Sequence, residues 1–230
     1  MMKRDFFFFS ILFIFMFMAC DKKKDSPNQS DSVTLVCLGD SYTAGYGATI
    51  PYVEDSTKSY PAFLQRKVNI SVINAGISGN TASQGLDRVN SDVLAHSPGI
   101  VVICLGTNDL GWHLPVANTH SDLQSIIDLV NDGNRKIYIA KFYTEQMATE
   151  LADIFGITDT DATELFHEYN DMFAALVTSN NITLIEDIWT GVWGIHMSDD
   201  FHPNAAGYEI MANHIFNVLK PYLEANNFLK

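Results

Sequence analysis

Five short apolar runs, at positions 33–38, 70–73, 100–105, 137–140 and 182–185, recur along the chain with longer amphipathic stretches between them. Runs that are continuous rather than alternating predict strands buried on both faces, as in a parallel sheet covered by helices. The stretches between them keep helical spacing. Tyr60, Phe63, Leu64, Lys67 and Val68 share one face, and Leu86, Val89, Val93 and Leu94 share another. Leu123, Ile126, Ile127 and Val130 form a third stripe, stopped by Asn131-Asp132-Gly133. Leu165, Tyr169, Met172, Phe173 and Leu176 form a fourth, and Ile210, Met211, His214, Ile215, Val218 and Leu219 the last. Strand–helix alternation of this kind predicts an α/β fold, a doubly wound three-layer α/β/α sandwich. At 230 residues, 47% of them apolar, the chain is long enough for one domain with a sizeable core.

The first 32 residues break the pattern. Lys3 and Arg4 precede an apolar run from Phe6 to Met18, which ends in Ala19-Cys20. That layout is an export signal rather than a membrane span, which needs roughly 20 apolar residues. A cysteine directly after a small residue resembles a bacterial lipoprotein signal, with Cys20 as the lipidated first residue; a plain signal or a short anchor is the alternative. Residues 21–32 are polar and read as a flexible tether. The expected division is therefore a signal peptide at 1–20, a tether at 21–32 and a folded domain at 33–230. The expected location is outside the cytoplasm, periplasmic or on the cell surface, with a lipid anchor as the sole attachment to membrane. The formal charge of −13 disfavours nucleic acid and anionic lipid surfaces as partners.

Four short blocks carry the chemistry. Gly39-Asp40-Ser41-Tyr42-Thr43-Ala44-Gly45 follows the first strand, where open α/β sheets bind ligands. Asn74-Ala75-Gly76-Ile77-Ser78-Gly79-Asn80-Thr81 follows the second strand, and Gly106-Thr107-Asn108-Asp109 the third. Asp199-Asp200-Phe201-His202-Pro203 precedes the last helix. A serine hydroxyl needs a base to become a nucleophile, and imidazole suits that near neutrality. Gly-x-Ser-x-Gly, the elbow of the α/β-hydrolases, is absent.

With these blocks in this order, the chain resembles the SGNH (GDSL) hydrolase family over about residues 33–222. The resemblance implies a flavodoxin-like five-stranded parallel sheet of order 2-1-3-4-5. It implies Ser41 as nucleophile, His202 as general base and Asp199 as the group that orients His202. It implies an oxyanion hole made by the Ser41 amide, the Gly79 amide and the Asn108 side chain, with no metal or cofactor. The stretch Asn74 to Leu86 looks most like the bacterial thioesterase/lysophospholipase/arylesterase branch, although Tyr42 stands where that branch commonly has leucine. The expected reaction is hydrolysis of small-molecule carboxylic esters or thioesters with lipid-like or aryl acyl groups. On the same triad, a carbohydrate O-acetylesterase is the chemical alternative; a surface lipoprotein that only binds is the alternative from another class.

Other readings of single residues stand beside these. Asp200 is the competing triad acid. Asp40 and Asp109 suit a metallophosphoesterase, but carboxylates in turns more often cap amides. The loop Leu110 to Val116 is rich in apolar side chains, so Trp112 and Leu114 are candidate substrate contacts. Leu110 and Leu114 serve equally well as loop anchors. Trp189 or Trp193 is a candidate partner for Trp112 in a clamp. Cys37 and Cys104 hold like positions before their site loops and are expected as buried thiols, side by side if their strands are neighbours.

Overall fold

The computed structural model describes residues 33–156 and 158–230. The expected signal, the tether and Cys20 lie outside the described residues. In chain order the elements are β1 (Thr34–Gly39), α1 (Ser41–Ala44), α2 (Tyr60–Gln65), β2 (Ser71–Gly76), α3 (Ala82–Asp87), α4 (Val89–Asp92) and β3 (Ile100–Cys104). They continue with α5 (Thr107–Gly111), α6 (Val116–Val130), β4 (Lys136–Ala140), α7 (Glu145–Phe155), α8 (Asp159–Asn180), β5 (Thr183–Ile185) and α9 (Ala205–Ala225). All five strands run parallel in the order β2-β1-β3-β4-β5, the order implied by the family resemblance.

This order divides the helices between the faces, because parallel crossovers are right-handed. The chain moves one way from β1 to β2 and the other way from β3 onward. Accordingly α2 packs with α9, while α3 packs with α6, α6 with α8, and α8 with α7. Between the layers, β1 and β3 present Leu35 to Leu38 and Ile100 to Cys104 with no exposed surface. Fully burying one such side chain contributes about 1.5–3 kcal/mol, so the central strands dominate the core.

The sequence-based elements differ from the structure at three places. The first stripe stops being helical at Gln65; Val68 is buried instead by an antiparallel bridge to Leu229. The second stripe is not one helix: it breaks at Arg88, which ends α3 and precedes α4. Cys37 and Cys104 are buried free thiols but do not stand side by side. Cys37 is level with Val102, and Cys104 with Gly39. Two residues of stagger plus one strand spacing separate their Cα atoms by about 8 Å. The offset arises because β1 ends at Gly39, so the two Cys-Leu-Gly segments start their loops at different heights.

That register matters for the site. Gly39, Gly76 and Cys104 are level neighbours at the carboxyl ends of three adjacent strands. Ser41, Gly79 and Asn108 follow them within a few residues, at the point where the strand order reverses. Ligand crevices of open α/β sheets form at such points.

Candidate active site

The turn that carries Ser41 is built by packing and one cap. Asp40 accepts the Tyr42 amide at 3.0 Å as the N-cap of α1. All four residues of α1 are buried. The turn lies tight against β2: a Cβ on Gly76 would fall 2.2 Å from the Ala44 nitrogen, which only glycine avoids. Tyr42 is fully buried, its ring edge-on to Trp189 with centroids 5.0 Å apart. The Tyr208 hydroxyl donates to the Tyr46 carbonyl at 2.8 Å, which ties the exit of the turn to α9.

His202 reaches Ser41 from the far end of the chain. Its Nε2 lies 3.0 Å from Ser41 Oγ. Its Nδ1 lies 2.9 Å from Asp199 Oδ1 and 3.1 Å from Oδ2. Asp199 Oδ1 also accepts the amides of Phe201 and His202, at 2.9 and 2.7 Å, so the carboxylate is fixed by its own turn. The two side chains are 18% and 4% exposed, His202 and Asp199 respectively, which leaves one edge of the imidazole open at the crevice. Asp200 is exposed and makes no such contact. Burial pushes the His202 imidazole below its ordinary range, against the opposing pull of the Asp199 carboxylate. Tyr46 lays its ring 4.6 Å from the imidazole, a neighbour that sequence reasoning did not single out.

The oxyanion candidates stand just beyond the carboxyl ends of β1, β2 and β3. Gly79 has φ +83°, a left-handed conformation; a Cβ there would touch nothing, so the requirement for glycine is conformational. Directly after it, Thr81 and Gln84 form a capping box at the start of α3, with Thr81 N to Gln84 Oε1 at 3.0 Å and Gln84 N to Thr81 Oγ1 at 3.3 Å. This Thr-x-x-Gln pattern was a legible signal for where the loop must end. Asn108 donates one Nδ2 hydrogen to the Asn80 carbonyl at 2.9 Å; the amide carries a second donor hydrogen. The amides of Ser41 and Gly79 have no protein acceptor among the described residues.

The carboxylates suspected as metal ligands are caps. Asp109 accepts the Ala82 amide at 2.9 Å and Thr119 Oγ1 at 3.3 Å, which binds the third site loop to α3 and α6. Asp40 is fully buried with Oδ2 unpartnered, and burial pushes its carboxyl up to about 7. Among the described residues, no cluster of three His, Cys, Asp or Glu side chains is arranged to hold a metal ion.

The substrate candidates separate. Leu110 is buried and anchors its loop. Leu114 is half-buried and lines a cavity of about 240 Å³ with Leu110, His113, Pro115, Val116, Leu165 and the carboxylate-bearing Glu168. Trp112 is 61% exposed and stands outside that cavity. The clamp is not formed: Trp189 and Trp193 are core residues, packed edge-on with centroids 5.4 Å apart. Their indole nitrogens are committed to the Phe142 carbonyl and the Glu150 carboxylate.

Comparison with known proteins gives the family. Residues 37–210 match the model of the GDSL-like Lipase/Acylhydrolase family. Esterase TesA of Pseudomonas aeruginosa is 25% identical over 203 residues, covering 85% of this chain and 92% of that protein. Thioesterase 1/protease 1/lysophospholipase L1 of Escherichia coli is 36% identical over 103 residues, 44% of this chain and 47% of that protein. The crystal structure of TesA superposes with a TM-score of 0.68 at 23% identity, covering 82% of this chain and 98% of that one, a likeness of fold. A parallel sheet of this order, with a serine and its imidazole at the switch point, and a family match across most of the chain lead to one conclusion: the chain belongs to the GDSL-like lipase/acylhydrolase family and is a carboxylic ester hydrolase.

Proposed function

We propose that the ester is cleaved by Ser41, activated by His202 and Asp199. The observation that carries this reading is the unbroken line from Asp199 Oδ1 through Nδ1 and Nε2 of His202 to Ser41 Oγ, with contacts of 2.9 and 3.0 Å. Ser41 Oγ attacks the acyl carbon as His202 Nε2 takes its proton. Asp199 holds the proton-bearing Nδ1 and stabilises the imidazolium that forms. The Ser41 and Gly79 amides and the free Asn108 N–H face the oxygen that gains charge, which typically contributes about 3–4 kcal/mol per donor. His202 then gives its proton to the leaving alcohol or thiol. A water molecule, deprotonated by the same imidazole, releases the acid and restores Ser41.

The cavity beside Leu114 supports an acyl group with lipid-like or aryl character, as in esters cleaved by a lysophospholipase, arylesterase or thioesterase. An acetylated carbohydrate remains the competing substrate on the same triad. We also propose export as a lipoprotein anchored at Cys20, a reading supported by the sequence of residues 1–20. Retention of a radiolabelled fatty acid by the wild type and its loss in Cys20→Ala is the expected result.

A fluorophosphonate probe tests the central reading. Wild type should be labelled at one serine, identified as Ser41 by peptide mass, and Ser41→Ala should not be labelled. A folded wild type that resists the probe would leave the binding lipoprotein as the better account.

A further inference from the structure

We propose that Arg88 is the positioning residue of the oxyanion hole, holding all three candidate donors to one guanidinium. The inference rests on the roles given above to Ser41, Gly79 and Asn108.

Arg88 stands at the break between α3 and α4, and its side chain, only 11% exposed, turns back across the strand ends. Nη2 donates to the Gly39 carbonyl at 2.7 Å, two residues before Ser41. Nη1 donates to the Ala75 carbonyl at 2.8 Å, at the start of the loop that carries Gly79. Nε donates to Asn80 Oδ1 at 2.8 Å, directly after Gly79. The carbonyl of that same Asn80 accepts the Asn108 side chain at 2.9 Å. Asp92, one turn further on, holds Nη1 from behind at 3.0 Å. Each donor is thus within two residues, or one further hydrogen bond, of an acceptor gripped by Arg88.

A guanidinium suits this task because its N–H groups lie in one rigid plane, whereas a lysine offers a single mobile ammonium. Arg88 touches neither substrate nor Ser41 Oγ in this arrangement, so its effect is transmitted through the donors.

Kinetics on p-nitrophenyl butyrate can separate this from a general structural role. Arg88→Ala should lower kcat by about 10- to 100-fold with KM within about threefold, since small displacements of preorganised groups cost up to about two orders of magnitude. Arg88→Lys should recover only part of the loss. In the Asn108→Ala background the Arg88→Ala effect should be smaller than in wild type, because one of the three donors it positions is already gone. Should Arg88→Ala fail to fold, Asn80→Ala replaces it: it cuts the Nε link, leaves the strand-end bonds, and should still lower kcat. Unchanged kcat in a folded Arg88→Ala or in Asn80→Ala, or full additivity with Asn108→Ala, would overturn the inference. Asn108→Ala alone without a loss would instead overturn the oxyanion reading on which it rests.

Discussion

The two walls of the crevice are made to different standards. On the His202 side every group is held twice: α1 is buried whole, Asp199 is bound by two backbone amides, and His202 lies between Tyr42 and Tyr46. The loop after Asn108 is anchored at its root by Asp109 and Leu110 and turned by backbone bonds from Trp112 to Asn108 and from Leu114 to Asp109, both at 2.9 Å. Beyond that root Trp112 is open to solvent, His113 takes a left-handed φ of +55°, and Leu114 is half-covered. The difference fits the roles proposed above for each wall. Proton transfer between fixed atoms tolerates little displacement, whereas an apolar pocket gains affinity from area removed from water without fixed geometry.

The rigid wall should therefore break at single atoms. Ser41→Ala should lower kcat on p-nitrophenyl esters by about four orders of magnitude or more, with a melting temperature close to wild type. Asp199→Asn should lose about as much, while Asp200→Asn stays within about twofold. The pH profile sharpens the assignment. Wild-type kcat/KM should rise with pH through one ionisation below 6.5, because burial depresses the imidazole. Asp199 raises that ionisation, so whatever activity remains in Asp199→Asn should titrate at still lower pH. A dominant loss in Asp200→Asn with Asp199→Asn active would transfer the role to Asp200.

The burial that makes this wall rigid carries an electrostatic cost at Asp40. Its carboxyl is raised from 3.8 to about 7 because burial disfavours the charge. The folded state therefore binds this proton more tightly than the unfolded chain. The resulting stability is complete below about pH 4 and is lost as pH rises through 7. Asp40→Asn keeps the acceptor for the Tyr42 amide and removes the charge. Its melting temperature should draw ahead of wild type between pH 4 and pH 7.5, by an amount worth a few kcal/mol. Parallel pH curves for the two proteins would show that Asp40 ionises freely.

What could be seen in advance follows the same division. Strands were legible because a parallel sheet buries both faces, and a continuous run such as Ile100 to Leu105 is too short for a helix and too apolar for a loop. Ser41, Gly79, Asn108 and His202 were singled out by the resemblance of their four blocks to the SGNH (GDSL) hydrolase family, and the strand pattern added that the first three blocks follow apolar runs. Helix α7 was missed, although Met147, Leu151, Ile154 and Phe155 keep helical spacing in the sequence; among its described side chains Met147, Ala148 and Ala152 are buried. The stagger of Cys37 and Cys104 was hidden because periodicity does not say which residues of parallel strands are level. The Asn80–Asn108 bond joins residues 28 apart, and no local pattern announces it. The tryptophan clamp failed for a related reason, since Trp189 and Trp193 read equally as pocket or core until their partners are known.

The smallest expected effect lies on the loose wall and decides what the enzyme acts on. Under the acyl-pocket reading proposed above, the chain would lie against Leu110, Leu114, Val116 and Leu165, in a cavity that His113, Pro115 and Glu168 also line. Each methylene buried there should raise kcat/KM by at most about fourfold, the equivalent of about 0.8 kcal/mol. Across p-nitrophenyl esters from acetyl to palmitoyl, kcat/KM should climb, peak at medium length and then level as the cavity of about 240 Å³ fills. Leu114→Asp should flatten that climb while acetate turnover stays near wild type, because the change lies outside the Ser41–His202 pair. Trp112→Ala, exposed and outside the cavity, should leave the slope unchanged. A series that falls from acetyl onward, with an acetylated sugar as the best substrate, would assign the cavity to loop packing and the enzyme to the carbohydrate O-acetylesterases.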